Sequence, residues 1–206
     1  MKIAGVKAGN ERGRITVLFE DGSEMKVSAV EVADFSLYSG RELSPDEYGR
    51  LRGDLELRSS KARAMRILGN RSLSAREVER RLKNKGDSAE TAQNTVAWLE
   101  SIGAVNDAEY TASIVRHYYS KGYGPARIKD ELYRRGIPRE LWEEALGGGE
   151  TGRPAVYEFL EKRLRDSRDQ ADLRRAAEAL CRRGFSYEEA REAVREYLES
   201  CEEADG

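Results

Sequence analysis

The stretch Gly124-Pro-Ala-Arg-Ile-Lys-Asp-Glu-Leu-Tyr-Arg-Arg-Gly-Ile-Pro-Arg-Glu-Leu-Trp-Glu-Glu-Ala-Leu146 reads as two helices joined by a tight turn. Pro125 suits the first helical position, where its missing N–H is no loss. Ile128 and Leu132 fall four apart on one face, and Arg134 and Arg135 close the helix where its dipole is negative. Gly136 then supplies the left-handed residue that ends it. Pro138 opens a second helix with Leu141, Trp142, Ala145 and Leu146 on its apolar side. A unit this small cannot bury its apolar stripes alone.

The unit recurs. Leu82-Lys-Asn-Lys-Gly86-Asp-Ser and Leu180-Cys-Arg-Arg-Gly184-Phe-Ser share its pattern, and the three glycines stand 50 and 48 residues apart. Aligning them puts Val78, Ile128 and Ala176 in one column and Leu82, Leu132 and Leu180 in the next. Beyond the glycine, Ala92, Trp142 and Ala190 align, as do Val96, Leu146 and Val194. Such a period defines an array of helical repeats.

Working outward, residues 1–57 differ in kind. Ile15–Glu20 and Glu24–Ser28 flank the turn signal Asp21-Gly22-Ser23 and predict a β-hairpin. Lys2–Lys7 adds a third strand with Gly9–Gly13 as its loop, and Ala29–Tyr38 a short helix. Ser44-Pro45-Asp46-Glu47 starts a helix that is expected to end before a linker at Arg58-Ser-Ser60. In repeat 1, Ala62, Met65 and Leu68 mark helix A, and Ser74-Ala-Arg-Glu77 is a capping box opening helix B. Helix C follows Asp87-Ser88 with Val96, Leu99 and Ile102 inward. Repeat 2 opens at Asn106-Asp107 with Tyr110, Ile114 and Tyr118 on its stripe, and Ser186-Tyr-Glu-Glu189 caps the last helix of repeat 3, to about Leu198. The expected organisation is a small hairpin-bearing module over 1–57, three-helix repeats over 58–105 and 106–146, a glycine-rich linker over 147–153, a third repeat over 154–198 and a frayed acidic tail over 199–206. The fold class is mainly α, three tandem three-helix repeats behind a small β-containing module.

The composition narrows function. Charged residues make up 36% and aromatics 8%, as long, polar-faced helices require. No apolar run approaches the roughly 18–20 residues needed to cross a bilayer, and the N-terminus lacks the pattern of a secretory signal, so a cytoplasmic protein is expected. Cys181 and Cys201 lack metal-site spacing and read as two unpaired thiols. His117, the one histidine, reads as a helix-surface residue rather than a general base. Gly147–Gly152 resembles a phosphate loop only until Arg153-Pro154 replaces the Lys-Ser/Thr. No catalytic residue, metal or cofactor is expected.

The net charge of −2 hides an uneven distribution. Residues 1–57 carry 8 basic and 11 acidic side chains, residues 58–146 carry 17 and 12, and residues 147–206 carry 11 and 15. Arg58–Gly86 alone holds ten basic residues against Glu77 and Glu79. On helix B of repeat 1, Arg76, Arg80 and Lys83 lie three or four apart, away from Val78 and Leu82, with Arg81 and Lys85 beside them. Arg127, Lys129, Arg134 and Arg135 are the counterparts in repeat 2, and Arg182 and Arg183, with Arg174 and Arg175, in repeat 3. Arg116 and Lys121 adjoin Tyr118, Tyr119 and Tyr123, which are candidates to stack on bases, core or inter-repeat packing being at least an equal reading for Tyr118. A solvated helix face is the plain alternative at any single position; together these residues form a basic face suited to nucleic-acid phosphates or an acidic protein groove.

Three motifs in order carry a family resemblance. Gly103-Ala-Val-Asn-Asp-Ala-Glu-Tyr110, then Gly124-x-x-x-Ile128-x-x-x-Leu132-x-x-x-Gly136-Ile137 and Ala145-Leu146, resembles the central repeat of the RecX family. Ser74-x-x-Glu77-Val78-x-x-x-Leu82-x-x-Lys85-Gly86 is similar to its first repeat, and Arg183-Gly184-Phe185-Ser186 to its third. The resemblance spans about residues 58–198, and residues 1–57 are similar to the N-terminal extension of longer members. The family usually has leucine where Val105 stands, phenylalanine at Tyr110, lysine at Arg135 and an aliphatic residue at Trp142. The resemblance implies an elongated, curved helical array and a regulator of RecA. Such a protein binds RecA and its filament on single-stranded DNA, limits recombinase, ATPase and coprotease activity, and so damps recombination and the SOS response in DNA repair. Weak direct DNA binding and a monomeric state are the accompanying expectations. The rival reading is a DNA-binding module of helix-turn-helix-like units with a helix in the major groove.

Overall fold

The computed structural model describes residues 1–9, 13–147, 152–165 and 167–204. It is mainly helical with a small antiparallel sheet, and it divides into two compact units, Met1–Gly69 with Leu82–Thr95, and Asn70–Arg81 with Val96–Gly206.

In the first unit, β1 (Ile3–Ala8), β2 (Ile15–Phe19) and β3 (Glu24–Val27) pair in that order. Gly22, at φ +83°, and the Asp21 carboxylate, which accepts from Ser23 N–H at 2.9 Å, make the β2–β3 turn. Residues 10–12 of the β1–β2 loop lie outside the described residues. Helix α1 (Ala29–Asp34) follows, and α2 (Pro45–Leu68) starts from the Ser44 capping box. Ile3, Val17, Phe19, Val27, Leu37, Leu43 and Leu51 form one core.

Helix α2 corrects the expected linker. It runs unbroken through Arg58-Ser-Ser60, so a boundary at residue 57 would fall inside it. The Arg58 guanidinium closes on Glu31, buried at the start of α1. Ser60 is fully buried; its hydroxyl accepts from Thr95 at 2.8 Å and donates to Asp87 at 2.9 Å, and Arg63 pairs with the same carboxylate. A serine pair that resembles a linker is therefore the polar centre of a helix contact. The inward stripe of this part of α2 is Ser60, Ala64 and Leu68; Met65 is exposed.

The remaining helices are α3 (Ala75–Asn84), α4 (Ala89–Ser101), α5 (Asp107–Tyr119), α6 (Pro125–Arg134), α7 (Trp142–Leu146, entered by a 3-10 turn over Arg139–Leu141), α8 (Arg153–Leu164), α9 (Gln170–Arg182) and α10 (Tyr187–Ala204). The aligned columns are core positions: Val78, Ile128 and Ala176 have no exposed surface, nor do Leu82, Leu132 and Leu180. Ile102, expected inside, is half exposed. Helix α10 continues past Leu198, where a frayed tail was expected, because Arg195 links Glu192 and Glu199 along its face. The linker expected over 147–153 falls mostly on residues 148–151, outside the described residues, as do residues 205 and 206 of the tail.

Within the second unit one joint is built twice. The loop ending α9 seats on the start of α6: Gly124 N–H donates to the Arg183 carbonyl at 2.9 Å and Ala126 N–H to the Gly184 carbonyl at 3.0 Å. The loop ending α6 seats likewise on the start of α3, where the Ser74 hydroxyl donates to the Arg135 carbonyl at 2.6 Å. The first joint pairs orphan backbone donors of one helix end with orphan acceptors of another, the second a capping hydroxyl with such an acceptor, and both oppose the dipole ends. The approach leaves no room for side chains: a Cβ on Gly124 would stand 2.4 Å from the Gly184 carbonyl carbon, and one on Gly184 would stand 2.5 Å from Arg127 N. Arg183 fastens the joint further, donating to the Lys121 and Gly122 carbonyls at 2.9 and 3.3 Å and lying 4.1 Å over the Phe159 ring.

Gly124 has φ −88°, so close approach alone forbids a side chain there. Gly124→Ala should therefore lower stability by about 2 kcal/mol or more. Gly86→Ala, strained only by φ +95° with no neighbour within 4 Å, should cost about 1 kcal/mol. Urea unfolding followed by helical circular dichroism checks that order.

Candidate interaction surface

Burying Val78 and Leu82 turns Arg76 and Arg80 to the outside of α3. The α6–α3 joint then brings a second set of residues to them. Gly136, at φ +68°, ends α6 directly against Arg76, whose Cδ lies 2.5 Å from where a glycine Cβ would stand. Tyr133 and Arg134, on the last turn of α6, arrive beside Arg76 and Arg80. Arg76, Glu77, Arg80, Tyr133, Arg134, Arg135 and Gly136 line one depression of about 260 Å³. Tyr133 is 69% exposed, and among the described residues Arg76 and Arg80 pair with no carboxylate. On the other side of Arg76 and Tyr133 a groove of about 560 Å³ continues to Arg139 and Trp142. The Trp142 indole N–H donates to the Ile137 carbonyl at 3.2 Å, and Arg139 lies 5.7 Å over the indole ring.

A buried carboxylate holds two of the arginines that line the depression. Glu131 is 5% exposed; Arg135 donates to it at 2.6 Å and Arg134 pairs with its other oxygen. Burial opposes its ionisation, but the hydrogen bond and charge of Arg135, the charge of Arg134 and the Tyr118 hydroxyl outweigh burial and hold the carboxyl below its usual range. Arg135 also donates to the Tyr110 hydroxyl and lies 5.5 Å over that ring. The departures from the family pattern at Tyr110 and Arg135 thus meet each other. Asp107 behaves in the opposite sense. It accepts from Ala75 N–H at 2.9 Å at the start of α3, and burial, with Glu77 nearby, pushes its carboxyl up despite that bond.

The structure sorts the sequence candidates. It brings Arg76, Arg80, Arg134 and Arg135 together, but the Arg135 guanidinium is held inside the fold by Glu131 and Tyr110. Arg183 is likewise held, by backbone carbonyls and Phe159, so it acts as a clamp. Arg81 is half-buried on α3, and Lys83 and Lys85 stand exposed at its C-terminal end. Arg116, Lys121, Arg127, Lys129 and Arg182 are exposed on α5, the following loop, α6 and α9, none of them lining the depression. Of the tyrosines that were candidates to stack on bases, Tyr119 is buried, and the Tyr118 and Tyr123 rings lie 5.5 Å apart, Tyr118 taking the packing role that was its alternative. The exposed aromatic that lines the depression is Tyr133, one position past the buried Leu132. Trp142 and Arg139 join the surface only through the joint.

Among the described residues no group of His, Cys, Asp and Glu could hold a metal ion, and no helix is long and apolar enough to cross a membrane. Fold and surface together define a helical-repeat protein that presents a basic, aromatic face. A family model for the second three-helix domain of RecX matches residues 106–146. Regulatory protein RecX of Xanthomonas campestris pv. campestris (strain B100) is 34% identical over 140 residues, 66% of this chain and 86% of that protein. That of Stenotrophomonas maltophilia (strain R551-3) is 32% identical over 136 residues, 65% of this chain and 83% of that protein. A crystal structure of regulatory protein RecX shares the fold with a TM-score of 0.74, at 20% identity, over 95% of this chain and 98% of the other. RecX from Lactobacillus salivarius does so with a TM-score of 0.64, at 23% identity, over 69% and 96%. The chain belongs to the RecX family of regulatory proteins.

The two carboxylates predict opposite acid responses. Glu131 has a depressed folded-state pKa, so its contribution is complete above the ordinary glutamate pKa and is lost as pH falls through the folded value. Asp107 has a raised one, so burial of its charge costs stability at neutral pH and is relieved as pH falls. Glu131→Gln should cost about 1–2 kcal/mol at pH 7, the half-exposed arginines softening the loss, and should flatten the acid limb of stability. Asp107→Asn, which keeps the acceptor for Ala75, should stay within about 0.5 kcal/mol of the parent. Urea unfolding at pH 7 and pH 4 measures both.

Proposed function

We propose that this protein regulates the recombinase RecA by binding RecA and its filament on single-stranded DNA. The bound protein limits recombinase, ATPase and coprotease activity, and so restrains recombination, DNA repair by that route and SOS induction. It acts in the cytoplasm as a monomer, without a cofactor, through three-helix repeats over 58–105, 106–146 and 154–198. Membership of the RecX family supports this reading, and the observation that carries it is the depression where Arg76 and Arg80 stand beside the exposed Tyr133. Unpaired guanidiniums suit phosphates or the acidic side chains of a protein groove, and an exposed ring between them suits an unstacked base. The sequence offers no dimer element and no Asn/Arg-rich recognition helix, so a filament carrying a single strand meets this chemistry more closely than a duplex read by a recognition helix. Repeats along a polymer also allow several weak contacts to act together by effective concentration.

The test is co-sedimentation with RecA filaments on single-stranded DNA, alongside the RecA ATPase rate. Arg76→Glu with Arg80→Glu should weaken binding at least about tenfold and relieve ATPase inhibition, and the salt dependence of binding should become shallower. Arg174→Glu with Arg175→Glu makes the same change in net charge on α9, where both arginines already pair with carboxylates, and should leave binding near the parent value. Equal losses in the two variants would mean that net charge, not this surface, carries the interaction.

A further inference from the structure

The joint described above occurs at two of the three aligned glycines, and the third has the same form without a mate among the described residues. Gly86, Gly136 and Gly184 all have positive φ, at 95°, 68° and 98°. At Gly136 and Gly184 a helix start presses on the loop; at Gly86 nothing lies within 4 Å of where a Cβ would stand. Among the described residues the Lys85 and Gly86 carbonyls accept no hydrogen bond, whereas Arg183 and Gly184 accept backbone N–H groups at their joint and Arg135 accepts the Ser74 hydroxyl at the other. Lys85 is exposed and forms no ion pair among the described residues. The next residue, Asp87, is fastened to α2 through Arg63 and Ser60, which holds the loop in place.

We propose that the Lys85–Gly86 loop is a docking seat for the N-terminus of a helix on a partner protein, one capped by glycine or serine and carrying a carboxylate in its first turn. The cap follows from the two joints in the chain, whose helix starts are Gly124 and Ser74: at the first, a Cβ would strike the loop backbone, and at the second, a small hydroxyl supplies the bond. The carboxylate follows from Lys85, a cation that would stand beside the first turn of the incoming helix, the helix end at which a carboxylate is favoured. A second copy of this chain does not supply the mate. Its remaining aligned helix start, at α9, begins a turn early, so Asp172 stands where Ser74 and Gly124 stand. The Asp172 N–H is already bonded, to the Asp169 carbonyl at 3.0 Å.

The inference rests on the RecA filament as partner, and the test separates the two. Gly86→Asn fills the seat with a residue that tolerates left-handed backbone; Gly103→Asn makes the same change at φ +68°, also with nothing within 4 Å. Gly86→Asn should bind RecA filaments on single-stranded DNA about tenfold more weakly than Gly103→Asn, at equal helical circular dichroism and melting temperature. A photo-crosslinking p-benzoylphenylalanine at position 85 should join to the first turn of a RecA helix. Parent-like binding by Gly86→Asn, or adducts only in strands, loops or DNA, would overturn the seat while the proposed function stands. If the parent protein itself fails to sediment with filaments, the proposed function fails and this assignment with it.

Discussion

Two helix ends meet at Gly124 and Gly184 with no side chain between them, and much of the second compact unit depends on that contact. A helix start carries unbonded N–H groups and a helix end unbonded carbonyls; bringing them together satisfies both without water. The cost is steric. The backbones approach so closely that the cap must be glycine, or at the α6–α3 joint a serine whose hydroxyl makes the bond. The same economy of contact sets the contact surface, because the loop that seats on α3 delivers Tyr133 and Arg134 to Arg76 and Arg80.

Arginine does two different jobs in this chain, and burial of the partner decides which. Arg58, Arg63 and Arg135 close on carboxylates with little exposure of their own, and Arg183 closes on backbone carbonyls and an aromatic face. Removing such a carboxylate leaves a charge with fewer partners in a poorly solvated place, which is where electrostatics has weight. Arg76 and Arg80, by contrast, face outward beside one another. Like charges held close without an ion pair among the described residues are tolerable in solvent and suit an anionic partner.

The N-terminal module follows the same logic at its attachment. Helix α2 belongs to it for its first half, through Leu51, and to the Ser60–Asp87–Thr95 network for its second. One helix thereby serves two cores, and the Arg58–Glu31 pair falls where they hand over. A continuous helix is stiffer than a linker of the same length, since every residue in it gives up backbone freedom once and cooperatively.

The sequence by itself determined the repeats, because the column of Val78, Ile128 and Ala176 and that of Leu82, Leu132 and Leu180 are local helix faces read against a glycine that only a left-handed turn explains. It determined the caps at Ser44, Ser74, Asn106 and Ser186 for the same reason: a cap is completed within four residues of chain. Only the tertiary structure decided that Arg58-Ser-Ser60 is helix, since the partners that hold Ser60 are Asp87 and Thr95, 27 and 35 residues away. It likewise decided that Arg135 and Arg183 are held while Arg76 and Arg80 pair with no carboxylate among the described residues, and that Tyr133 rather than Tyr119 is exposed. An arginine beside a helix-ending glycine looks alike in Arg135 and Arg183 and much the same in Lys85. What differs is whether another helix start comes to meet it, and no local pattern in the chain records that.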